Sequence, residues 1–194
     1  MVEALLDTAA TWLSGRGADS DIVVNSQCRL VRNVAGSPFP NQCHDDDRSA
    51  VEQQLTQAFE ALNLLQSGKY WSVQRMDPTE AKFLAERRLI TTSLVNARGP
   101  RGAYISDDQS MSIIVNDADH VTYVALNSGQ QLQETWARVN LVADTLAGAI
   151  DFAFNERLGY LTSAVGELGT GLKLEAVLHL PGLVMSGNMA SLRT

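Results

Sequence analysis

The sequence predicts an α+β fold, with helices packed on one face of an antiparallel sheet. Its strand candidates come in groups, and helices interrupt them without the strict alternation of parallel α/β proteins. Three strand candidates between residues 103 and 126 are separated only by short polar turns, which favours an antiparallel meander. The chain has 194 residues, 45% of them hydrophobic, and shows no linker. We therefore expect a single domain over residues 1–194 with a substantial core.

Helices are expected where apolar residues recur at helical spacing after a capping residue. Ser49 and Glu52 have the spacing of a capping box, and Asp77-Pro78 has that of a helix start. The long helix near the C-terminal end should bury Phe154 on its apolar side. The predicted helices span residues 2–14, 49–67, 77–89 and 130–155, and a last helix opens at Pro181.

Strands are expected in segments rich in Val, Ile and Leu between turn residues. They span residues 21–33, 70–76, 103–106, 111–116, 121–126, 160–162 and 172–180. Cys28 lies in the first of them, where a small hydrophobic side chain would be buried. Cys28 and Cys43 are the chain's two cysteines and do not make a disulfide framework. This cysteine usage favours a reduced, cytoplasmic protein.

Charge and hydropathy argue against several classes of partner. The formal net charge of −7 is unlike that of a nucleic-acid binder, which normally carries a basic face. No apolar run reaches the roughly 18–20 residues that span a bilayer, and the N-terminal segment lacks the basic region of a secretory signal. His44 and the three aspartates that follow it are expected in a solvated loop, so no metal site is predicted.

Residues 155–182 carry the most informative motif, NERLGYLTSAVGELGTGLKLEAVLHLPG. This segment resembles the signature region of the ATP:guanido phosphotransferases, written roughly GYLTxCPTNxGTGLRAxVxxHLP, and is closest to the bacterial protein-arginine kinases. The resemblance extends over about residues 1–188 in the family's order. It implies that the chain is the N-terminal portion of a guanido kinase catalytic domain.

The resemblance also implies a site for ATP with Mg²⁺. Residues 25–33, NSQCRLVRN, resemble the family's SSRxRLARN, whose outer arginines reach nucleotide phosphates. A guanidinium suits that role because it is permanently charged and offers paired donors. In this chain Gln27 and Thr122 replace arginines, and Lys173 offers a point charge instead of a fork. The positions that the resemblance assigns to the nucleotide are Ser26, Gln27, Arg29, Arg32, Arg88, Thr122 and Lys173.

The family's two reactive side chains are absent. Ala118 stands where the family has the carboxylate that holds the substrate guanidinium and takes its proton, and Ala164 stands where it has a cysteine. A positioned general base is typically worth about 10²–10⁴ in rate. Asp117 and Asp119 flank Ala118 and are the remaining catalytic candidates, although on a strand they would point away from its face. The alternative interpretation of residues 116–120 is a polar hairpin turn.

These departures predict a degenerate kinase domain, a pseudokinase that acts as a binding or regulatory domain. The alternative is an active ATP:guanido phosphotransferase that phosphorylates arginine and is completed by a partner chain. A third interpretation is an interaction protein without a ligand pocket, which would use an open sheet edge and the apolar residues 183–189. A protein partner or a homo-oligomer is therefore expected.

Overall fold

A six-stranded antiparallel sheet forms the centre of the molecule. The computed structural model describes residues 5, 7–64 and 68–192. The strands are β1 (Val23–Arg32), β2 (Gly68–Ser72), β3 (Gly102–Ser106), β4 (Met111–Val115), β5 (Val121–Ser128), β6 (Phe154–Asn155), β7 (Gly159–Tyr160) and β8 (Leu172–Leu178). The sheet order is β2-β3-β4-β5-β1-β8, and β6 and β7 form a separate small hairpin. The predicted α+β class is confirmed, and strands β3, β4 and β5 form the predicted meander.

Five α-helices surround the sheet in the part of the chain that the structure describes. They are α1 (Asp45–Leu62), α2 (Pro78–Glu86), α3 (Thr92–Asn96), α4 (Leu132–Ala147) and α5 (Pro181–Met185). Single 3₁₀ turns cover Thr11–Leu13, Val73–Arg75, Val165–Glu167 and Asn188–Leu192. Among the helices so described, none is long and apolar enough to cross a membrane.

Both faces of the sheet carry a buried apolar cluster. The long helices α1 and α4 share one face, as predicted, and there Phe59 and Leu146 pack with Tyr123 of β5. Alternate residues of β4 and β5 point to the opposite face, where Ile114 and Val124 join a second cluster with α2, α3 and the N-terminal segment. This second layer was not predicted from the sequence, and it completes the burial of the central strands.

The ends of α1 differ from their prediction. The helix begins at Asp45 because His44, not Ser49, is its N-cap, and the His44 N–H donates to the Asp47 carboxylate at 3.0 Å. The Ser49 hydroxyl instead donates to the Asp45 carbonyl within the helix. Asn63, in the left-handed conformation at φ 46°, ends α1. Residues 65–67, to which the helix was predicted to extend, lie outside the described residues.

Helix α4 is shorter than its prediction. It ends at Ala147, before Gly148, and Phe154 is 58% exposed in β6 instead of buried on the helix. Helix α2 begins as predicted, since the Asp77 carboxylate accepts from the Thr79 N–H at 2.8 Å. Helix α3 was not predicted, and the strand predicted for residues 70–76 ends at Ser72. The predicted helix 2–14 falls partly outside the described residues, and its last part is a 3₁₀ turn.

Candidate functional site

Strands β1 and β8 bring four of the polar side chains together on one face of the sheet. In the antiparallel register Arg29 lies opposite Lys173, and Gln27 lies opposite Glu175, so all four project to the same side. Arg88, which follows α2 in a left-handed conformation at φ 59°, donates to the Gln27 side-chain oxygen at 3.3 Å. These five residues form what we call the β1–β8 site, beside an open cavity of about 260 Å³.

Carboxylates of the chain itself neutralise two of the three cations in the β1–β8 site. Glu167, at the end of the 3₁₀ turn, makes an ion pair with Arg29, and both side chains are about three-quarters buried. The Lys173 ammonium lies 2.6 Å from the Glu175 carboxylate, in a pair that is about half exposed. An incoming anion would therefore have to displace Glu167 before it could use the Arg29 guanidinium.

Two of the predicted nucleotide residues lie on the opposite face, towards α4. The Ser26 hydroxyl donates to the Gly129 carbonyl at 2.8 Å and accepts from the Gln131 N–H at 2.9 Å, next to the start of α4. The Arg32 guanidinium lies 3.5 Å from the centre of the Tyr160 ring and donates to the Thr170 carbonyl at 2.8 Å. Burial lowers the pKa of Arg32. Both residues are buried structural groups, separated from Arg29 by the sheet.

The remaining nucleotide position, Thr122, lies on the same face as Arg29 but is only 2% exposed. It is one strand further into the sheet, opposite Val31. A threonine there can neither supply charge nor reach into solvent as an arginine would. The structure therefore brings Gln27, Arg29, Arg88 and Lys173 together and leaves out Ser26, Arg32 and Thr122.

Residues 116–120 form the loop between β4 and β5, so their interpretation as a polar hairpin turn is confirmed. The Asp117 carboxylate accepts from the Thr91 hydroxyl at 2.6 Å and from the Ser93 hydroxyl at 2.8 Å, at the start of α3. Asp119 is 1% exposed and accepts from the Asn33 amide at 2.6 Å. Each candidate carboxylate is thus engaged in holding the fold together.

The two alanine positions lie in segments that contact each other. The Ser163 N–H donates to the Asp119 carboxylate at 2.7 Å, and the Ser163 hydroxyl donates to the Ala118 carbonyl, also at 2.7 Å. Asn33 joins the same network, because its oxygen accepts from the His120 N–H at 2.9 Å. The network keeps Ala118 close to the segment of Ala164, but a methyl group at each position offers neither a base nor a nucleophile.

His120 and Cys43 form a second polar contact behind this loop. The Val34 N–H donates to His120 Nδ1 at 3.0 Å, and Cys43 Sγ lies 3.8 Å from His120 Nε2. Burial lowers the pKa of His120 to about 4, and burial also raises the pKa of Cys43. At neutral pH the pair is therefore an uncharged imidazole beside a thiol, which lacks the thiolate that nucleophilic chemistry requires.

Two further residues, Arg101 and Gly171, are structural as well. Arg101 is buried and donates to the Leu94 carbonyl at 2.7 Å and to the Gly99 carbonyl at 2.9 Å, which fixes α3 to the following loop. Gly171 makes a tight turn against β1, with φ +64° and its carbonyl accepting from Val31. A Cβ at this position would lie 2.7 Å from the Val31 oxygen, so the turn requires glycine.

Comparison with protein families identifies the origin of this architecture. Residues 50–194 match the family model described as ATP:guanido phosphotransferase, C-terminal catalytic domain. The chain belongs to the ATP:guanido phosphotransferase family. The family expected from the motifs is therefore confirmed.

Bacterial protein-arginine kinases are among the curated relatives of this family member. The enzyme of Moorella thermoacetica is 35% identical over 184 residues, which cover 93% of this chain and 53% of the relative. The enzyme of Bacillus subtilis is 34% identical over 182 residues, which cover 93% of this chain and 50% of the relative. The chain thus spans about half the length of these curated relatives.

Solved structures of guanidino kinases share the fold. A duplicated taurocyamine kinase from Schistosoma mansoni, with bound transition-state analogue components, aligns with a TM-score of 0.77 at 23% identity, covering 93% of this chain and 26% of that one. A lombricine kinase aligns with a TM-score of 0.73 at 22% identity, covering 93% of this chain and 53% of that one. At these identities the likeness concerns the fold alone.

The β1–β8 site does not fit ATP with Mg²⁺ as its side chains stand. A triphosphate would meet the Glu167 and Glu175 carboxylates beside the two cations with which they pair. Within residues 5, 7–64 and 68–192, no group of three His, Cys, Asp or Glu side chains is placed to hold a metal ion. The family's cofactor would therefore require a rearrangement of the segment that carries Glu167.

Glu167 and Glu175, the two carboxylates that pair with cations of the β1–β8 site, were not predicted from the sequence. The family motif has asparagine at the position of Glu167, and an acid placed among phosphate-binding positions is a signal of altered electrostatics. Glu175 lies two residues after Lys173 on a predicted strand, and the strand period of two places both on one face. That spacing was sufficient to indicate the pair of Lys173 and Glu175.

Proposed function

We propose that this chain is a degenerate protein-arginine kinase domain, a pseudokinase that binds or regulates a partner and does not transfer phosphate. The proposal starts from the family, whose members use a carboxylate to hold and deprotonate the substrate guanidinium. Ala118 takes that position in this chain, and its neighbours Asp117 and Asp119 are engaged with α3 and with the Asn33–Ser163 network.

The observation that carries the proposal is the engagement of these two carboxylates. A general base needs a free lone pair within hydrogen-bond reach of the proton that it removes. Asp119 is 1% exposed and accepts two hydrogen bonds on its Oδ1, and Asp117 accepts one on each oxygen. Movement of either side chain towards a guanidinium at Ala118 would leave hydroxyl, amide or backbone donors without partners, at a cost of about 1–3 kcal/mol for each buried donor.

The electrostatics of the β1–β8 site support the same conclusion. Phosphoryl transfer depends on positioned cations that stabilise charge on the transferring group, and losing one such donor typically costs about 10²–10³ in rate. Gln27 and Thr122 supply no charge, and Glu167 neutralises Arg29. Nucleotide binding by this domain would depend on Arg88 and Lys173, and on Arg29 only after Glu167 has been displaced.

A phosphorylation assay tests the proposal. The purified chain is incubated with radiolabelled ATP, Mg²⁺ and an arginine-rich protein, and phosphoarginine is measured by label transfer and by mass spectrometry. The protein-arginine kinase of Bacillus subtilis serves as the positive control under the same conditions. We expect no phosphoarginine from the chain alone. Loss of a general base and of one cation together should lower the rate by more than about 10²-fold. A rate within about 10²-fold of the control would therefore contradict the proposal.

The active alternative has its own outcome in this assay. Since the chain spans about half the length of its relatives, a second polypeptide could supply further site residues. Phosphoarginine that forms only when a co-purified partner is present would favour that alternative over a pseudokinase. Phosphoarginine formed by the chain alone at a rate within about 10²-fold of the control would exclude both the pseudokinase and the need for a partner.

A further inference from the structure

A buried guanidinium and a buried hydroxyl lie close together on the face of the sheet that α4 covers. Arg32, at the end of β1, is only 9% exposed, and Tyr123 of β5 is fully buried. In the antiparallel register Leu30 lies opposite Tyr123 and Arg32 lies opposite Val121, so Arg32 and Tyr123 are diagonal neighbours on one face. Long side chains at such positions are within reach of each other, and both can therefore contact one small ligand.

The hydrogen-bond and stacking partners of Arg32 are all uncharged. Its Nη1 donates to the Val31 carbonyl at 2.7 Å and to the Thr170 carbonyl at 2.8 Å, and its guanidinium stacks on the Tyr160 ring. None of the ion pairs formed within the described ranges of the chain includes Arg32. Charges buried in proteins are normally paired, because a charge without a counter-ion is costly to remove from water. Arg32 is therefore a buried cation whose charge is not compensated by a contacting carboxylate.

The Tyr123 hydroxyl also lacks a partner. It forms no hydrogen bond with any residue that the structure describes, although Phe59 and Leu146 pack in the same cluster. Buried hydroxyl groups are hydrogen-bonded in the large majority of cases. Burial raises the pKa of Tyr123, and the nearby charge of Arg32 opposes this rise. Since the hydroxyl and the guanidinium are both donors, one acceptor between them would satisfy both.

Asp144 of α4 is the carboxylate whose charge acts on both groups. Burial lowers the pKa of Arg32 and raises that of Tyr123, and Asp144 raises both pKa values. Asp144 is exposed, however, and forms no ion pair with Arg32, while its Oδ2 accepts from the Asn140 amide at 2.8 Å. It thus weakens the positive potential at Arg32 without contacting the guanidinium.

We propose that Arg32 and Tyr123 together bind a small monovalent anion of the size of chloride, between β1, β5 and α4. The anion accepts from the Tyr123 hydroxyl and from guanidinium N–H groups other than those that bond Val31 and Thr170. It has to be small because Tyr123 is fully buried, and singly charged because Asp144 already contributes a negative charge nearby. A water molecule would accept the same hydrogen bonds but leave the buried charge uncompensated.

This site is separate from the β1–β8 site, because Arg32 and Arg29 lie on opposite faces of the sheet. Urea denaturation of the full chain in sodium chloride and in sodium gluconate at equal ionic strength tests the proposal, since general screening is then the same. A ligand that binds only the folded state stabilises it increasingly above its Kd. We expect unfolding at higher urea concentration in chloride, and broadening of the chlorine magnetic resonance by the folded protein. Identical curves without broadening would assign the position to water and overturn the proposal.

Tyr123→Phe is the decisive variant, because it keeps the packed ring and removes only the hydroxyl. It should bind chloride about tenfold more weakly than the wild type, as expected for loss of a hydrogen bond to a charged group. Arg32→Gln should lose the chloride dependence, and Arg157→Gln, the same charge change at an exposed position, should keep it. If Arg32→Gln does not fold, Tyr123→Phe still decides, because an unchanged chloride affinity in that variant overturns the site.

Asp144→Asn tests whether the chain supplies its own counter-ion. Removal of this nearby negative charge should tighten chloride binding by about twofold or more. If the variant instead loses the same stability in chloride and in gluconate, Asp144 is the counter-ion of Arg32 and the proposed anion is wrong. None of these measurements involves ATP, so the outcome is independent of the proposed loss of phosphotransfer.

Discussion

A carboxylate at position 167 changes what Arg29 is able to bind. Arg29 keeps the permanent charge and paired donors that suit a phosphate, but its guanidinium is paired with Glu167 in a largely buried contact. A free phosphate group must compete with an anion that is tethered to the same chain. The pair thus converts a cationic position into a nearly neutral one without loss of the arginine.

Alternation along β1 separates residues that the family motif groups together. Side chains on a strand alternate between its two faces, so Gln27 and Arg29 share a face while Arg32, three residues after Arg29, lies on the other. This consequence was available from the sequence. The pairing of Arg29 with Glu167 was not, because the two residues are 138 positions apart and meet only through the 3₁₀ turn before β8.

His120 should make stability depend on pH. Its folded pKa of about 4 lies below the ordinary value near 6.5, so between these values the unfolded chain binds more protons than the fold. The contribution of the neutral imidazole is complete above about pH 6.5 and is lost as the pH falls towards 4, with a total on the order of 3 kcal/mol. Urea denaturation at several pH values measures this slope.

The matched control is His120→Gln, which keeps a side-chain hydrogen-bonding group but does not titrate. Its free energy of unfolding should fall less steeply than that of the wild type between pH 6.5 and 4, whatever its stability at pH 7. Equal slopes for the two proteins would show that His120 is not the buried neutral base described above.

At the scale of elements, the β4–β5 loop is held by contacts to three other segments. Asp117 ties it to the start of α3, while Asp119 and His120 tie it to the end of β1, and Ser163 ties it to the segment after β7. These contacts preserve the geometry around Ala118 although its carboxylate is missing. The loop is therefore fixed by hydrogen bonds that do not depend on a side chain at Ala118.

Asp119 should matter to stability more than to any reaction. Asp119→Ala leaves the Ser163 N–H without its acceptor and weakens the bonding of Asn33, so we expect a loss of about 2–3 kcal/mol. Asp119→Asn keeps an oxygen acceptor and should cost clearly less. Chemical denaturation of both variants checks this order, and a reversed or equal effect would contradict the structural role.

Short-range sequence patterns predicted most of the helices and strands but placed some of their ends wrongly. The meander and the Asp77 cap follow from turn length and capping chemistry, which act over a few residues. Helix α4 was extended to Phe154 because apolar spacing continued past Gly148, while the structure uses those residues for β6. Helix α3 is only five residues long, too short for a periodic pattern to be visible.

At the scale of the whole molecule, apolar clusters cover both faces of the sheet. The helices α1 and α4 bury one face, and α2 and α3 with the N-terminal segment bury much of the other. The second layer could not be inferred from composition, because it depends on which alternate residues of β4 and β5 find apolar partners.

The proposed function implies that this chain keeps the fold of the family without its chemistry. Two alanines replace the reactive groups, two aspartates beside them are structural, and two glutamates neutralise the cations of the β1–β8 site. All of these changes leave the sheet and its helices in place, as the TM-scores of 0.77 and 0.73 to guanidino kinases indicate. The central claim is that the site has lost its ability to bind and transfer a phosphoryl group.

Titration calorimetry with Mg²⁺ and ATP tests that claim most directly. We predict no measurable heat from the wild-type chain up to millimolar nucleotide, because the Glu167 carboxylate already pairs with the Arg29 guanidinium. Glu167→Gln should bind nucleotide measurably, at least about tenfold more tightly than the millimolar limit expected for the wild type, whereas Glu156→Gln, which makes the same charge change at an exposed position, should show no measurable heat. Micromolar binding by the wild type would contradict the account.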